Sequence, residues 1–160
     1  MKVFEIFPQQ ESFMDSSPDR CRTCAVVGNS VNLLGSHYGP LIDLHDVIMR
    51  TYRRMKSTVK ANQGLVKVLH PGFIQYVHEN WLGKEGRYPS TGFMGVVLAM
   101  HICDEVSVFG FGADKDGNWR HYWEELQNKH YGTGPHGGGQ EYKRILELAE
   151  KQKLNFYKGF

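Results

Sequence analysis

What the 160-residue sequence lacks narrows the possibilities first. No run of about 18 apolar residues occurs, so no stretch reads as a membrane span. The opening MKVFEIFPQQESF has a short apolar patch interrupted by Glu5 and Pro8. It lacks the long apolar centre of a signal peptide, and on that stretch alone no route into the secretory pathway is expected. An excess of one charge is missing too: 19 Lys and Arg stand against 17 Asp and Glu, a net +2. With no basic stripe interleaved with aromatics, nucleic acid is not an expected partner. The cluster Arg50, Arg53, Arg54, Lys56 and Lys60 reads as a solvated linker. There are no internal repeats and no low-complexity segments. A P-loop lysine is absent, and Gly28-Asn29-Ser30 is too short for a dinucleotide fingerprint.

Cysteine is scarce: Cys21, Cys24 and Cys103 only. An odd count leaves at least one without an intrachain disulfide partner. Three readings stand level on spacing. Cys21-x-x-Cys24 with His101-x-Cys103 could make a structural zinc module. Cys21-x-x-Cys24 could be a redox pair. One long-range disulfide could join Cys103 to Cys24 or to Cys21.

What is present points to one globular domain: 41% hydrophobic, 22% charged and 12% aromatic residues. CAVVG (24–28) is a short β-branched run closed by glycine, a buried strand. GNSVNLLGSHYGP reads as a loop with room for one helical turn. DVIMRT (46–51), LVKVLH (65–70) and EVSVFGFG (105–112) read as strands, and NFYKGF as a last short one. PGFIQYVHENWLG carries apolar residues at helical spacing behind Pro71 and stops at Gly83. STGFMGVVLAMHIC (90–103) is apolar nearly all round, a buried helix capped by Ser90 or Thr91. GQEYKRILELAEKQK (139–153) is amphipathic. Strands alternating with helices predict an α/β layered domain with a mostly parallel sheet. In such sheets ligands bind at the carboxyl ends of the strands, here Gly28-Asn29-Ser30 and the stretch after Phe109. The start of the buried helix, Ser90-Thr91-Gly92, offers N–H groups and hydroxyls suited to an anion. Alone, these features are equally a tight turn and a helix cap.

Four motifs in order sharpen the reading. CRTCAVVGNSVNLLGSHYGPLIDLHDVIMR resembles the large sialylmotif of eukaryotic sialyltransferases. HPGFIQYVHENWLGKEGRYPSTGFMGVVLAMHICDEVSVFGFG resembles their small sialylmotif. HYWE (121–124) is similar to the third motif, and His136 with Glu141, in H-x-x-x-x-E, to the very small one. RYPSTG, CDEV, GFGAD and GNWRHYWE bring the chain nearest the β-galactoside α-2,3-sialyltransferases acting on Galβ1-3GalNAc. The resemblance implies a Rossmann-like (GT-A variant) α/β/α sandwich. It implies CMP-sialic acid as donor, the 3-hydroxyl of a terminal galactose on a glycoprotein or glycolipid glycan as acceptor, and inverting transfer with no metal or other cofactor. It also implies a Golgi membrane protein with its catalytic part in the lumen, although no anchor is visible in this chain.

Residue by residue, the resemblance implies that Asn29 and Ser30 hold the CMP. Ser90, Thr91 and Gly92 surround the cytidine and phosphate, and Phe111 and Gly112 also touch the donor. Tyr88 and His121 reach the phosphate, and His136 is the general base. Cys24 pairs with Cys103, and the partner of Cys21 lies outside this chain. The residue types suit the task. A sugar hydroxyl needs a base near neutral pKa, which imidazole supplies. A phosphate leaving group needs hydrogen-bond donors rather than a strong acid. His37, His45, His70, His78 and His130 read as solvated or structural, and Glu124 and Glu141 as hydrogen-bond partners.

The chain departs from that family in three places. Residues 51–69 are far shorter than the usual spacer between the large and small motifs. Arg50-Thr51-Tyr52 stands where an asparagine of the donor site is expected. Val31 replaces a glycine, and a β-branched residue disfavours positive φ there. These departures predict residues 1–17 as a remnant of a stem or first helix, and 18–160 as an incomplete catalytic domain shortened at about 52–64. The alternative is an inactive remnant that binds CMP or glycan, or acts only as an interaction protein.

Overall fold

The computed structural model describes residues 21–50, 69–125, 127 and 131–159. Its centre is a parallel sheet of four strands: β1 (Thr23–Val27), β2 (Val47–Arg50), β3 (Glu105–Phe109) and β4 (Asn155–Tyr157), in the order β2-β1-β3-β4. Strand β1 runs between its neighbours with Ala25 opposite Ile48 on one side and Ser107 on the other. Both inner strands are buried on both faces after their first residue. That is the condition of a parallel sheet between two layers, and it explains why CAVV and VSVF are continuous apolar or small runs.

The loop after β1 holds the expected turn, a 3-10 turn at Val31–Leu33, and then a one-turn helix α1 (Gly39–Ile42). Val31 therefore avoids positive φ altogether; its side chain is buried as the first residue of the 3-10 turn. Helix α2 (Pro71–Tyr76) begins as expected at proline, with the His70 ring accepting from the Gly72 N–H at 3.0 Å. It does not continue regularly to Gly83. Val77–Trp81 widens into a π turn closed by Leu82 N–H to Val77 carbonyl, which carries Leu82 into the core. The strand expected at 65–70 falls mostly outside the described residues, and Leu69 and His70 are not strand.

Helix α3 (Thr91–Ile102) is the apolar helix, lying on β1 and β3. Phe93, Val96, Val97 and Ala99 are buried with Phe73 of α2, Val77 of the π turn, Ile145 of α4 (Gly138–Glu150), and Cys24, Val26, Val106 and Val108 of the sheet. A helix covered on several sides has no polar face to spare, hence its uniform hydrophobicity. The opposite sheet face carries a smaller cluster: Ala25, Val27 and Phe109 against Leu33, Tyr38, Leu41, Ile42 and Tyr157.

The structure separates the cysteine readings. Cys24 on β1 and Cys103 after α3 form a disulfide, with Cα atoms 6.0 Å apart across 79 residues. Cys21 is free and exposed, so the redox Cys21-x-x-Cys24 pair and the zinc module are both overturned. His101 does not turn toward them: its Nδ1 is 2.7 Å from the Val97 carbonyl and its Nε2 3.4 Å from the Tyr76 hydroxyl. Among the described residues no group of three or more His, Cys, Asp or Glu is placed to hold a metal ion.

Candidate active site

Ser90 caps α3, its Oγ accepting from Phe93 N–H at 3.1 Å. The same hydroxyl donates to Glu141 Oε2 at 2.6 Å, and Ser90 N–H donates to Glu141 Oε1 at 2.6 Å. Glu141 is 6% exposed and sits in the first turn of α4. One carboxylate thus lies at the positive ends of two helices, which stabilise it there. The Ser90 hydroxyl is committed to this clamp. The N–H groups of Thr91 and Gly92, in the first turn of α3, have no partner within the helix.

The clamp belongs to a longer strap between residues 85–90 and 133–141. Arg87 N–H donates to the Pro135 carbonyl at 2.9 Å. His136 Nδ1 lies 3.2 Å from the Tyr88 carbonyl. A carbonyl only accepts, so Nδ1 carries a proton, and in the neutral imidazole the lone pair is then on Nε2. The Tyr88 and His136 rings meet edge to face, centroids 4.8 Å apart. Of the glycines in PHGGG only Gly138 answers to packing, since a Cβ on Gly139 would meet nothing within 4 Å and one on Gly137 would make ordinary contacts. A Cβ on Gly138 would strike the Thr133 side chain, and Gly137 lies against the backbone of Glu85 and Gly86. Thr133 Oγ1 in turn donates to the His136 carbonyl at 2.8 Å.

A second histidine is built at the end of β1. Ser30 and His121 form an isolated antiparallel bridge, and Tyr122 N–H donates to the Asn29 carbonyl at 2.9 Å. His121 Nδ1 is 3.0 Å from Glu124 Oε1, its backbone N–H donates to Glu124 Oε2 at 2.9 Å, and its ring stacks on Trp123 at 4.6 Å. Its Nε2 is the ring nitrogen left outside this clasp. Ser30 Oγ donates to the Gly112 carbonyl at 2.8 Å. Phe111 joins the two halves: its ring meets the Cα faces of Gly28 and Gly92, where an added Cβ would stand 2.9 Å from ring atoms. Gly112, at φ +97°, faces the Tyr142 ring just as closely, and burial pushes the Tyr142 hydroxyl pKa up.

The nearby loop 114–120 is held by Asp114, which accepts from Asp116 N–H at 3.0 Å, Asn118 N–H at 2.8 Å and Arg120 Nε at 3.2 Å. Burial alone would raise the pKa of this carboxyl. The bonds from Asn118, Arg120 and Asp116 together outweigh burial and hold it below the usual carboxylate range.

The structure therefore brings Asn29, Ser30, His121, Phe111 and Gly112 together at the carboxyl ends of β1 and β3. It sets Tyr88, Ser90, Thr91, Gly92 and His136 together at the amino end of α3, with Phe111 between the groups. No hydrogen bond or ring contact joins His121 directly to His136. Sequence reasoning missed the strap through Arg87, Pro135, Gly86 and Gly137, and the Asp114 loop. For the loop a local signal existed: Asp114 followed by Gly117 and Asn118 is turn chemistry. For the strap there was none, because its partners are about 50 residues apart.

A parallel α/β sheet with a ligand rim at the strand ends and an anion-ready helix start is the arrangement of nucleotide-binding enzymes. The family model of glycosyltransferase family 29 (sialyltransferase) matches residues 1–53 and 50–153, and the chain belongs to that family. It is 33% identical to CMP-N-acetylneuraminate-beta-galactosamide-alpha-2,3-sialyltransferase 2 of Mus musculus over 222 residues, covering 99% of this chain and 63% of the mouse protein. It is 34% identical to the sialyltransferase 1 of that name from Gallus gallus, covering 99% of this chain and 65% of the chicken protein. A crystal structure of a mammalian sialyltransferase superposes with TM-score 0.72 at 32% identity, over 98% of this chain and 76% of that one. Another, in complex with Gal-beta-1-3GalNAc-ortho-nitrophenol, gives 0.68 at 33%, over 88% and 70%. The chain thus spans under two thirds of its curated relatives' length. The mouse alignment needs 222 residues where this chain has 160, and the two family-model stretches meet at 50–53, the end of β2.

Proposed function

We propose that this chain carries the donor-binding and catalytic core of a β-galactoside α-2,3-sialyltransferase. In this reading His136 Nε2 takes the proton of the galactose 3-hydroxyl as its oxygen attacks the anomeric carbon of the sialic acid. The bond from that carbon to the CMP phosphate oxygen breaks, the electron pair leaves with CMP, and the anomeric centre inverts. The observation that carries the reading is the His136 tautomer. The Tyr88 backbone carbonyl accepts a hydrogen bond from Nδ1–H, which puts the lone pair of the neutral ring on Nε2. The phosphate is received by Thr91 and Gly92 N–H groups, Tyr88 and His121, with Asn29, Ser30, Phe111 and Gly112 around the nucleotide. Because the Ser90 hydroxyl is bound to Glu141, Ser90 serves the donor as a helix cap rather than a direct ligand. The step draws on no metal or other cofactor. The family places such chemistry in the Golgi lumen, with membrane attachment.

A second reading is favoured by the seam at 50–53: a core short of the relatives' intervening sequence that binds CMP or glycan without turnover. CMP release from CMP-sialic acid with a Galβ1-3GalNAc acceptor decides between them. Release well above that of His136→Ala supports the enzyme. Equal background rates with a CMP-induced rise in melting temperature support the binding remnant. Neither signal removes both.

A further inference from the structure

The sheet face opposite α3 has much lighter cover. Over Ala25, Val27 and Phe109 lie, among the described residues, the 3-10 turn, the one-turn helix α1, and the rings of Tyr38, His45 and Tyr157. Beside them a cavity of about 370 Å³ opens, lined by Val27, Leu33, Tyr38 and Ile42 at its apolar side and by Asp43 and Arg50 at its polar side. Leu34 and Leu44, next in the chain to lining residues Leu33 and Asp43, and Ile48, paired with Ala25, are 55%, 79% and 41% exposed. Ile48 and Arg50 alternate onto the same face of β2, and β2 is the outer strand of the sheet on this side among the described residues. Among the described residues neither Arg50 nor Asp43 has an ion-pair partner.

The seam of the family match falls at this edge of the sheet: the two matched stretches overlap at residues 50–53, from the last residue of β2 onward. The exposed patch carries both a free cation and a free anion around an apolar floor. Such a surface is self-complementary: across a two-fold axis, Arg50 of each copy meets Asp43 of the other while Leu34, Leu44 and Ile48 bury one another. We propose that this face is a homodimer interface, on which a second copy of the chain covers the apolar floor and pairs the two charges. The inference rests on the fold and the charges and is independent of catalytic activity.

The test is sedimentation velocity across a concentration series, on protein carrying Cys21→Ser so that the exposed thiol cannot cross-link copies. Dimer is expected, with Ile48→Lys and Arg50→Asp each weakening association about tenfold or more. The double charge exchange Asp43→Arg with Arg50→Asp restores it, and that rescue distinguishes an interface from a misfolded variant. Unchanged melting temperatures of the single variants accompany the expected result. A chain that stays monomeric at every concentration overturns the proposal. So does a dimer indifferent to Ile48→Lys and Arg50→Asp, or a charge exchange that fails to restore association.

Discussion

Glu141 and Gly28 show how much single residues set around the site. Glu141 accepts two 2.6 Å bonds from one serine at the junction of two helix ends. Glu141→Gln keeps the shape but replaces one accepting oxygen with an NH2 facing a donor. The expected loss is about 1–3 kcal/mol of stability, read from urea unfolding, because a buried donor loses its acceptor. Gly28 follows β1 directly against the chain leaving β3: an added Cβ would strike the Gly110 carbonyl oxygen and lie 2.9 Å from the Phe111 ring. A backbone oxygen cannot swing aside, so Gly28→Ala is expected to cost about 1–3 kcal/mol or more. Gly95→Ala is the internal control. Its Cβ would meet only Val26 Cγ1 at 3.4 Å, inside a helix where alanine is the better residue, so its melting temperature should stay near wild type.

At the scale of elements, α3 and α4 are legible one by one and their relation is not. The run 90–103 announced a buried helix capped by Ser90 or Thr91, of which the structure uses Ser90, and the amphipathic pattern of 139–153 announced α4. Nothing local announced that the cap of one is gripped by the first turn of the other. The widened turn at Val77–Trp81 was equally silent, since helical spacing alone leads through to Gly83. The 114–120 loop provides a pH signature. The folded state lowers the Asp114 pKa below its ordinary value of 3.8, so the ionised form contributes stability above that value. The contribution disappears as pH falls through the lower folded value. Wild-type protein should therefore be more stable than Asp114→Asn at neutral pH, and the difference should shrink toward zero in strong acid. Urea midpoints for both proteins, taken from pH 7 downward, check this; a gap that widens on acidification contradicts it.

In the molecule as a whole, the Cys24–Cys103 disulfide ties the first strand to the end of α3 across 79 residues. Closing so long a loop restricts the unfolded chain, and removing the bond is expected to cost about 4 kcal/mol. Denaturant unfolding of Cys24→Ala/Cys103→Ala against wild type measures it. Neighbour-scale information was enough for the strand and helix types, the buried character of α3 and the order of the four motifs, because periodicity, caps and turn residues are properties of adjacent positions. The identity of the family followed from that order. Distance across the fold was needed for everything that depends on partners far apart in the chain. It chose among three cysteine readings, set the Nδ1 proton of His136 through the Tyr88 carbonyl, and engaged the Ser90 hydroxyl with Glu141. A hydrogen bond between residues 48 or 51 positions apart leaves no trace in either local pattern, and it exists only once the sheet has brought both segments to the same end.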